Sequence, residues 1–206
     1  MNSKAPLFRV PVSDMIGSFV VERGSVMTTH GLSTAQATSL FALVLACATA
    51  SAQSLAVPDN LKPPSTEVLF LAVSAAGVQV YQCDASKDDP TKFEWVFTGP
   101  VADLFDAAGK KIGTHYAGPS WESSDGSKVV GEVTARDNGP DANAIPWLLL
   151  SAKSTSGTGV FSRTTSIQRV QTEGGKAPAV GCDKAQAGQE ARIAYKAMYY
   201  FYAAKP

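Results

Sequence analysis

The feature that most constrains the fold of this sequence is a succession of short segments in which apolar residues recur at every second position. Residues 92–98 (KFEWVFT) place Phe93, Trp95 and Phe97 on one face, the two-residue period of a half-buried β-strand. Turn-forming residues interrupt such segments about every 8 to 14 residues, and no helical period follows residue 53. The pattern predicts an all-β fold, a single antiparallel sandwich or barrel of about eight strands.

The same reasoning assigns strands along the rest of the chain, at residues 67–73, 78–83, 101–105, 110–116, 128–136 and 159–171. Residues 74–77 (SAAG) have the length of a hairpin turn between the first two. The apolar run 145–152 (IPWLLLSA) indicates a central strand that is covered on both faces. Residues 191–203 mix helix-forming Ala and Met with strand-forming aromatic residues. We predict a strand there because Ile193, Tyr195, Ala197, Tyr199 and Phe201 share one face.

A short apolar segment precedes this domain. It runs for about 11 residues to Ala50, well below the ~20 that span a bilayer as a helix. Ala50 and Ala52 then supply the small residues of a signal-peptidase site, which predicts cleavage between Ala52 and Gln53. A buried helix of the folded domain is the alternative. A second alternative is a lipoprotein acylated at Cys47.

These assignments divide the chain into three parts. Residues 1–52 are a signal peptide with an N-terminus that is over-extended if translation starts at Met27 rather than Met1. Residues 53–65 are a proline-containing lead-in, and residues 66–206 are one β-rich domain. We therefore expect a secreted or periplasmic protein without an integral membrane segment after cleavage.

Two of the three cysteines persist after the predicted cleavage. Cys83 and Cys182 form an even pair in an exported domain, where thiols are normally oxidised. A disulfide between them closes a loop of about 100 residues and is worth roughly 4–5 kcal/mol in the chain-entropy model. Two free buried thiols are the alternative. No C-x-x-C motif and a single histidine after cleavage, His115, argue against a metal site.

The charge balance excludes some partners. Lys plus Arg and Asp plus Glu number 18 each, so the formal net charge is zero. A neutral chain without a basic stripe gives no electrostatic reason to bind nucleic acid. We expect a monomer, no cofactor, and an unknown small molecule or glycan as the partner.

His115 is the sharpest catalytic candidate. As the single histidine of the predicted domain it could act as a general base. Glu122 lies seven residues further on, beside Trp121, so a histidine–carboxylate pair near an aromatic ring could form a small polar pocket. A histidine that holds a turn through hydrogen bonds is the structural alternative.

Weaker binding candidates follow in the second half of the chain. Gln168 and Arg169 precede Gly174 and Gly175, whose backbone N–H groups could face an anion next to the arginine. Glycines at such places more often form a turn with positive φ. Trp121 and Tyr195 belong to a set of aromatic residues that would form either a stacking face for a sugar or part of a β-domain core.

Several sequence blocks resemble one known family. They are HYAGPSWE (115–122), IPWLLL (145–150), IQRVQTEGGKAP (167–178), GCD (181–183) and a terminal Y-x-F-Y (199–202). These blocks resemble the domain-of-unknown-function 3455 (DUF3455) family, secreted proteins of bacteria and fungi, over about residues 57–202. The resemblance implies an exported β-rich domain and no established activity. Some relatives carry dehydrogenase-type names, but this chain lacks G-x-G-x-x-G after a strand and has no βαβ alternation.

Two hypotheses of function follow. The first is a binding or structural module of unknown ligand. The second is a small extracytoplasmic hydrolase or lyase that uses His115 with a nearby carboxylate. Convergence of His115, Glu122, Arg169 and aromatic residues in one open pocket would favour a site. A histidine buried against backbone carbonyls, with no such pocket, would favour a structural role.

Overall fold

The structure is a computed structural model that describes residues 56–206. The predicted signal peptide, its cleavage point, Met27 and Cys47 lie outside the described residues. The eight strands are β1 (Glu67–Ala85), β2 (Phe93–Phe105), β3 (Lys111–Tyr116), β4 (Ser120–Ser123), β5 (Lys128–Asp137), β6 (Trp147–Ser156), β7 (Ser166–Gly174) and β8 (Glu190–Ala204). Two single turns of 3-10 helix cover Asp59–Leu61 and Lys184–Gln186. The all-β prediction is confirmed.

The strands form a closed antiparallel barrel. Each strand pairs with the next, and β8 returns to pair with β1 from Glu67↔Ala204 to Gln82↔Glu190. Of the two predicted architectures, the barrel is therefore the one that forms. Every strand thus pairs with two neighbours over part of its length, and neither β1 nor β8 is an edge strand. Within the described residues, no helix is long enough and apolar enough to cross a membrane.

The barrel interior holds the main hydrophobic core. Alternate residues of β8 point into it: Tyr195, Ala197, Tyr199 and Phe201 are each at most 3% exposed. This alternation confirms the predicted strand at residues 191–203, since a helix would have spread these residues around its axis. Other strands and one loop contribute further core side chains, among them Val73, Leu104, Val129, Leu150, Phe161 and Ile167.

Strand β6 is covered on both faces, as its continuous apolar run predicts. Leu148 and Leu150 lie in the interior core, whereas Trp147 packs outside against Leu61 and Val170. Leu61 comes from the proline-containing lead-in and is fully buried. The described part of the lead-in, residues 56–65, is therefore anchored to the outside of the barrel through Leu61 and Val57.

The predicted hairpin at residues 74–77 is wrong, because β1 runs without a break from Glu67 to Ala85. A Cβ atom at Gly77 would lie 2.2 Å from the Val101 carbonyl oxygen of β2. The glycine therefore permits close contact between strands and does not form a turn. Residues 92–98 and 101–105 likewise form one strand, β2, which passes through Gly99 and Pro100.

The predicted disulfide is present. The Cys83 and Cys182 sulfur atoms are 2.02 Å apart, and their Cα atoms are separated by 5.4 Å. The bond fixes the long connection between β7 and β8 to the end of β1. The same connection contacts β2, because the indole Nε1 of Trp95 donates to the Val180 carbonyl at 3.1 Å.

Candidate functional site

A cavity of about 390 Å³ opens at the end of the barrel where β3 turns into β4. Its volume falls in the range of about 300–1,000 Å³ that is typical of small-molecule sites. Inward-facing strand residues form the depth of the cavity, and the turn at residues 117–119 forms part of the mouth. Apolar side chains make up much of its wall, including Phe97, Val133, Ile145, Pro146, Leu148 and Leu150.

Three aromatic side chains that contact one another form one wall of the cavity. His115 on β3 is paired in register with Trp121 on β4, so both side chains point inward from neighbouring strands. Their rings stack with centroids 4.5 Å apart and an interplanar angle of 12°. The Tyr199 ring of β8 meets both edge-on, at 5.1 Å from His115 and 5.4 Å from Trp121. This cluster holds His115 in one orientation.

His115 is buried and electrically neutral at ordinary pH. Its side chain is 2% exposed, and its Nδ1 lies 2.8 Å from the Ser120 carbonyl oxygen. Burial lowers the pKa of His115 to about 3, against the opposing effect of that hydrogen bond. Because a carbonyl only accepts, Nδ1 carries the proton and donates, and Nε2 is left as an acceptor.

Arg169 brings a positive charge to the cavity from β7. Its Nε and one Nη donate to the Pro146 carbonyl, at 3.1 and 2.7 Å, which occupies two of its five N–H donors. Among the described residues, no carboxylate forms an ion pair with Arg169 or with Arg136, which also lines the cavity. No Asp or Glu contributes to the described lining either. The site is therefore cationic without an internal counter-charge.

Three buried polar atoms in the lining have no hydrogen-bond partner in the described structure. They are Gln79 Nε2, Trp121 Nε1 and the Tyr199 hydroxyl oxygen, the last of which lies near the Tyr195 hydroxyl and the Arg169 guanidinium without a hydrogen bond of normal geometry. Each of these side chains is only 1% exposed. Buried donors are normally paired, because an unmade hydrogen bond costs about 1–3 kcal/mol. Three of the six such atoms in the described part of the chain thus belong to residues that line this cavity.

The structure brings together three of the predicted site residues, His115, Trp121 and Arg169. It does not bring Glu122 to them. Glu122 lies between two inward-facing residues of β4, so its side chain points outward. There it accepts a 2.5 Å hydrogen bond from the Tyr116 hydroxyl. The histidine and the carboxylate thus lie on opposite faces of the sheet.

Gln168 and Tyr195 lie elsewhere. Gln168 faces outward and donates from Nε2 to the Leu61 carbonyl at 2.7 Å, which fastens the lead-in to the barrel. Tyr195 is buried in the core at 2% exposure and does not line the cavity. Tyr195 packs directly against Gly175, since a Cβ atom on that glycine would lie 2.8 Å from the Cβ atom of Tyr195.

Gly174 ends β7 opposite Tyr195 of β8, and Gly175 forms an isolated β-bridge with Ala144, so neither forms the expected turn. Their φ angles are +63° and +81°, which favour glycine. The Gly174 carbonyl accepts from the Ile145 N–H at 2.9 Å, and the Gly175 carbonyl accepts from the Tyr81 hydroxyl at 2.7 Å. These bonds position the segment that carries Ile145 and Pro146, and through Pro146 they position Arg169.

Sequence reasoning missed Gln79 and Arg136. A signal for Gln79 exists, because it shares its strand face with Tyr81, Ala75 and Val73 and so places an amide at an inward position. Arg136 offers no such signal, since it is an exposed residue near the end of β5. Within residues 56–206, no three His, Cys, Asp or Glu side chains come close enough together to hold a metal ion.

The comparison with protein families gives one match. A family model described as "Protein of unknown function (DUF3455)" matches residues 64–203. That stretch contains every residue of the cavity lining and all of the barrel except the last residue of β8. No curated protein and no solved structure matches the chain.

Proposed function

The chain belongs to the DUF3455 family, whose function is unknown, and we propose that this member is an extracytoplasmic binding module that holds a small molecule inside its barrel. The observation that carries the proposal is the cavity of about 390 Å³ with unpartnered polar atoms in its wall. Ligand sites typically combine an apolar wall with a few convergent polar groups. The site has both.

The mouth of the cavity supports the same proposal. Phe97 is 51% exposed and Val133 is 41% exposed, although both are large apolar residues that line the site. Exposed apolar side chains around a concavity mark contact with a ligand or a partner. Here they would form the entrance for a molecule with an apolar body.

An extracytoplasmic location is part of the proposal. The Cys83–Cys182 disulfide supports it, because such bonds persist in oxidising compartments and are rare in the cytosol. A protein secreted or held in the periplasm would keep this bond without further protection. Retention of the signal segment, or acylation at Cys47, is tested by the mass of the protein isolated from its host.

The alternative of a hydrolase or lyase that uses His115 has less support. No Asp or Glu in the described lining can orient the imidazole, and Glu122 points away from it. A histidine whose pKa is about 3 is a weak base at neutral pH. The stacked, buried ring fits a binding wall better than a proton-transfer site.

Binding inside the cavity can be measured with N-phenyl-1-naphthylamine, an uncharged probe whose emission rises in apolar surroundings. We expect a saturable rise with one site per chain. The variant Ala117→Trp places an indole at the exposed turn of the mouth and should abolish the signal.

The matched control is Ala107→Trp, which places the same indole on the exposed β2–β3 turn at the opposite end of the barrel. This variant should bind as the parent does. Emission that does not saturate, or equal binding by the two variants, would overturn the proposal.

A further inference from the structure

We infer that the ligand of this cavity is an organic carboxylate, a monoanion with a compact apolar body. The inference rests on the proposed binding function and adds its chemical class. It is carried by the juxtaposition of the Arg169 guanidinium with an apolar wall and with buried, unpartnered donors.

The charge of the site selects the charge of the ligand. Arg169 and Arg136 both line the cavity, and no described carboxylate pairs with either. Arginine is always protonated, so the site keeps this charge at every physiological pH. Arg169 is partly buried, and because its charge is incompletely solvated there, an anion beside it would be stabilised and a cation would be repelled.

The unpartnered atoms select a hydrogen-bond acceptor. Gln79 Nε2 and Trp121 Nε1 can only donate. Burial raises the pKa of the Tyr199 hydroxyl against the opposing effect of Arg169 and Tyr195, so the hydroxyl stays protonated and has a proton to donate. Carboxylate oxygens accept several such bonds at once, and charge-assisted bonds of this kind are roughly twice as strong as neutral ones.

The geometry of the charge selects a monoanion with a flat head group. Arg169 lines the cavity from the middle of β7, whereas Arg136 is exposed near the end of β5, at the rim. The free N–H groups of Arg169 form a planar fork that matches the two oxygens of a carboxylate. A dianion such as a phosphate monoester would leave charge unpaired against Leu148, Leu150 and Ile145, which are apolar and buried.

The test compares probes that share a naphthyl body and differ in head group, by isothermal titration calorimetry on the purified protein, and the first three differ in charge. They are 2-naphthoate, its uncharged amide 2-naphthamide, and 2-naphthylmethylammonium. We expect 2-naphthoate to bind about tenfold or more tightly than the amide, and the cation to bind most weakly. 2-Naphthyl phosphate serves as the dianionic arm and should bind more weakly than 2-naphthoate.

The variant Arg169→Gln removes the charge and keeps a donor for the Pro146 carbonyl. In this variant the preference for 2-naphthoate over the amide should fall below about threefold. Retained binding of N-phenyl-1-naphthylamine shows that its cavity is intact. The matched control is Arg192→Gln, which removes an exposed arginine paired with Glu190 away from the cavity and should keep the parent preference.

The outcomes separate the two proposals. If the amide binds as tightly as 2-naphthoate, or if Arg169→Gln keeps the preference, the carboxylate inference fails. Saturable binding of N-phenyl-1-naphthylamine would then still support the binding function. If neither the naphthyl probes nor N-phenyl-1-naphthylamine binds, both proposals fail. Tighter binding of the phosphate overturns the choice of a monoanion.

Discussion

Two tyrosines inside the barrel differ in one hydrogen bond. The Tyr81 hydroxyl donates to the Gly175 carbonyl at 2.7 Å, whereas the Tyr199 hydroxyl makes no hydrogen bond of normal geometry with any described residue, although the Tyr195 hydroxyl and Arg169 lie near it. A buried polar atom that lacks a partner costs stability, and one that has a partner contributes about 1 kcal/mol. The two hydroxyls should therefore contribute differently to stability, and only the Tyr199 hydroxyl is available to the proposed ligand.

Tyr199→Phe should leave the free energy of unfolding unchanged or raise it by up to about 1 kcal/mol, because it removes an unpaired hydroxyl. The same variant should weaken 2-naphthoate binding. Tyr81→Phe is the matched comparison and should lower stability by about 1 kcal/mol. Urea unfolding without ligand measures both. A Tyr199→Phe variant that loses as much stability as Tyr81→Phe would argue against an unpaired hydroxyl.

His115 should make stability depend on pH. Its folded-state pKa of about 3 lies below the ordinary value of 6.5, so between these values the unfolded chain binds a proton that the folded chain does not. The free energy of unfolding is therefore unaffected by this group above pH 6.5. Below pH 6.5 it falls as the pH is lowered, by up to about 1.4 kcal/mol per pH unit.

Urea midpoints at pH 7, 6 and 5 measure this slope. The variant His115→Asn lacks the titrating group and should show a flatter dependence than the parent over the same interval. Parallel slopes for the two proteins would show that the pKa of His115 in the folded state is not lowered from its ordinary value.

The sequence predicts part of the site and misses part of it for a physical reason. His115, Trp121 and Arg169 were accessible as candidates because such residue types are few and stand in distinctive blocks. Glu122 was grouped with His115 by sequence proximity. Their seven-residue separation includes the β3–β4 turn, which sets the phase of the alternation and sends the two side chains to opposite faces.

Among the elements, β1 shows where local pattern fails. The segment Ser74–Gly77 has turn-like composition, but β1 pairs with β2 on one side and β8 on the other throughout it. Pairing with two distant strands outweighs local propensity, and no short window of sequence contains that information. The opposite holds for β6 and β8, whose patterns of apolar residues predict their burial directly.

The lead-in should behave as part of the folded domain. Leu61→Ala removes a fully buried side chain that packs on Trp147 and Val170, and should cost about 2–5 kcal/mol. Val180→Ala is the control, since Val180 is 81% exposed and its loss should change stability by less than about 0.5 kcal/mol. Thermal or urea unfolding compares them. Equal stability of the two variants would mean that the lead-in is not anchored.

At the scale of the whole molecule, the disulfide joins residues 99 positions apart in a barrel that is already closed by hydrogen bonds. Its reduction should lower the stability by roughly 2–4 kcal/mol and leave a folded protein at low temperature. Unfolding with and without a reductant measures the loss. The double variant Cys83→Ser with Cys182→Ser should be insensitive to the reductant. A parent protein with equal stability under both conditions would contradict the prediction.

The pairing of β1 with β8 has a consequence for the order of events in folding. All of β2 to β7 is synthesised between these two strands, so the barrel stays an open sheet until β8 has emerged. Until that moment, β1 exposes backbone groups that can pair with any other strand, including one from a second copy. Contacts so distant along the chain form slowly. Chains that have not yet paired β8 with β1 therefore expose a strand edge that the closed barrel hides.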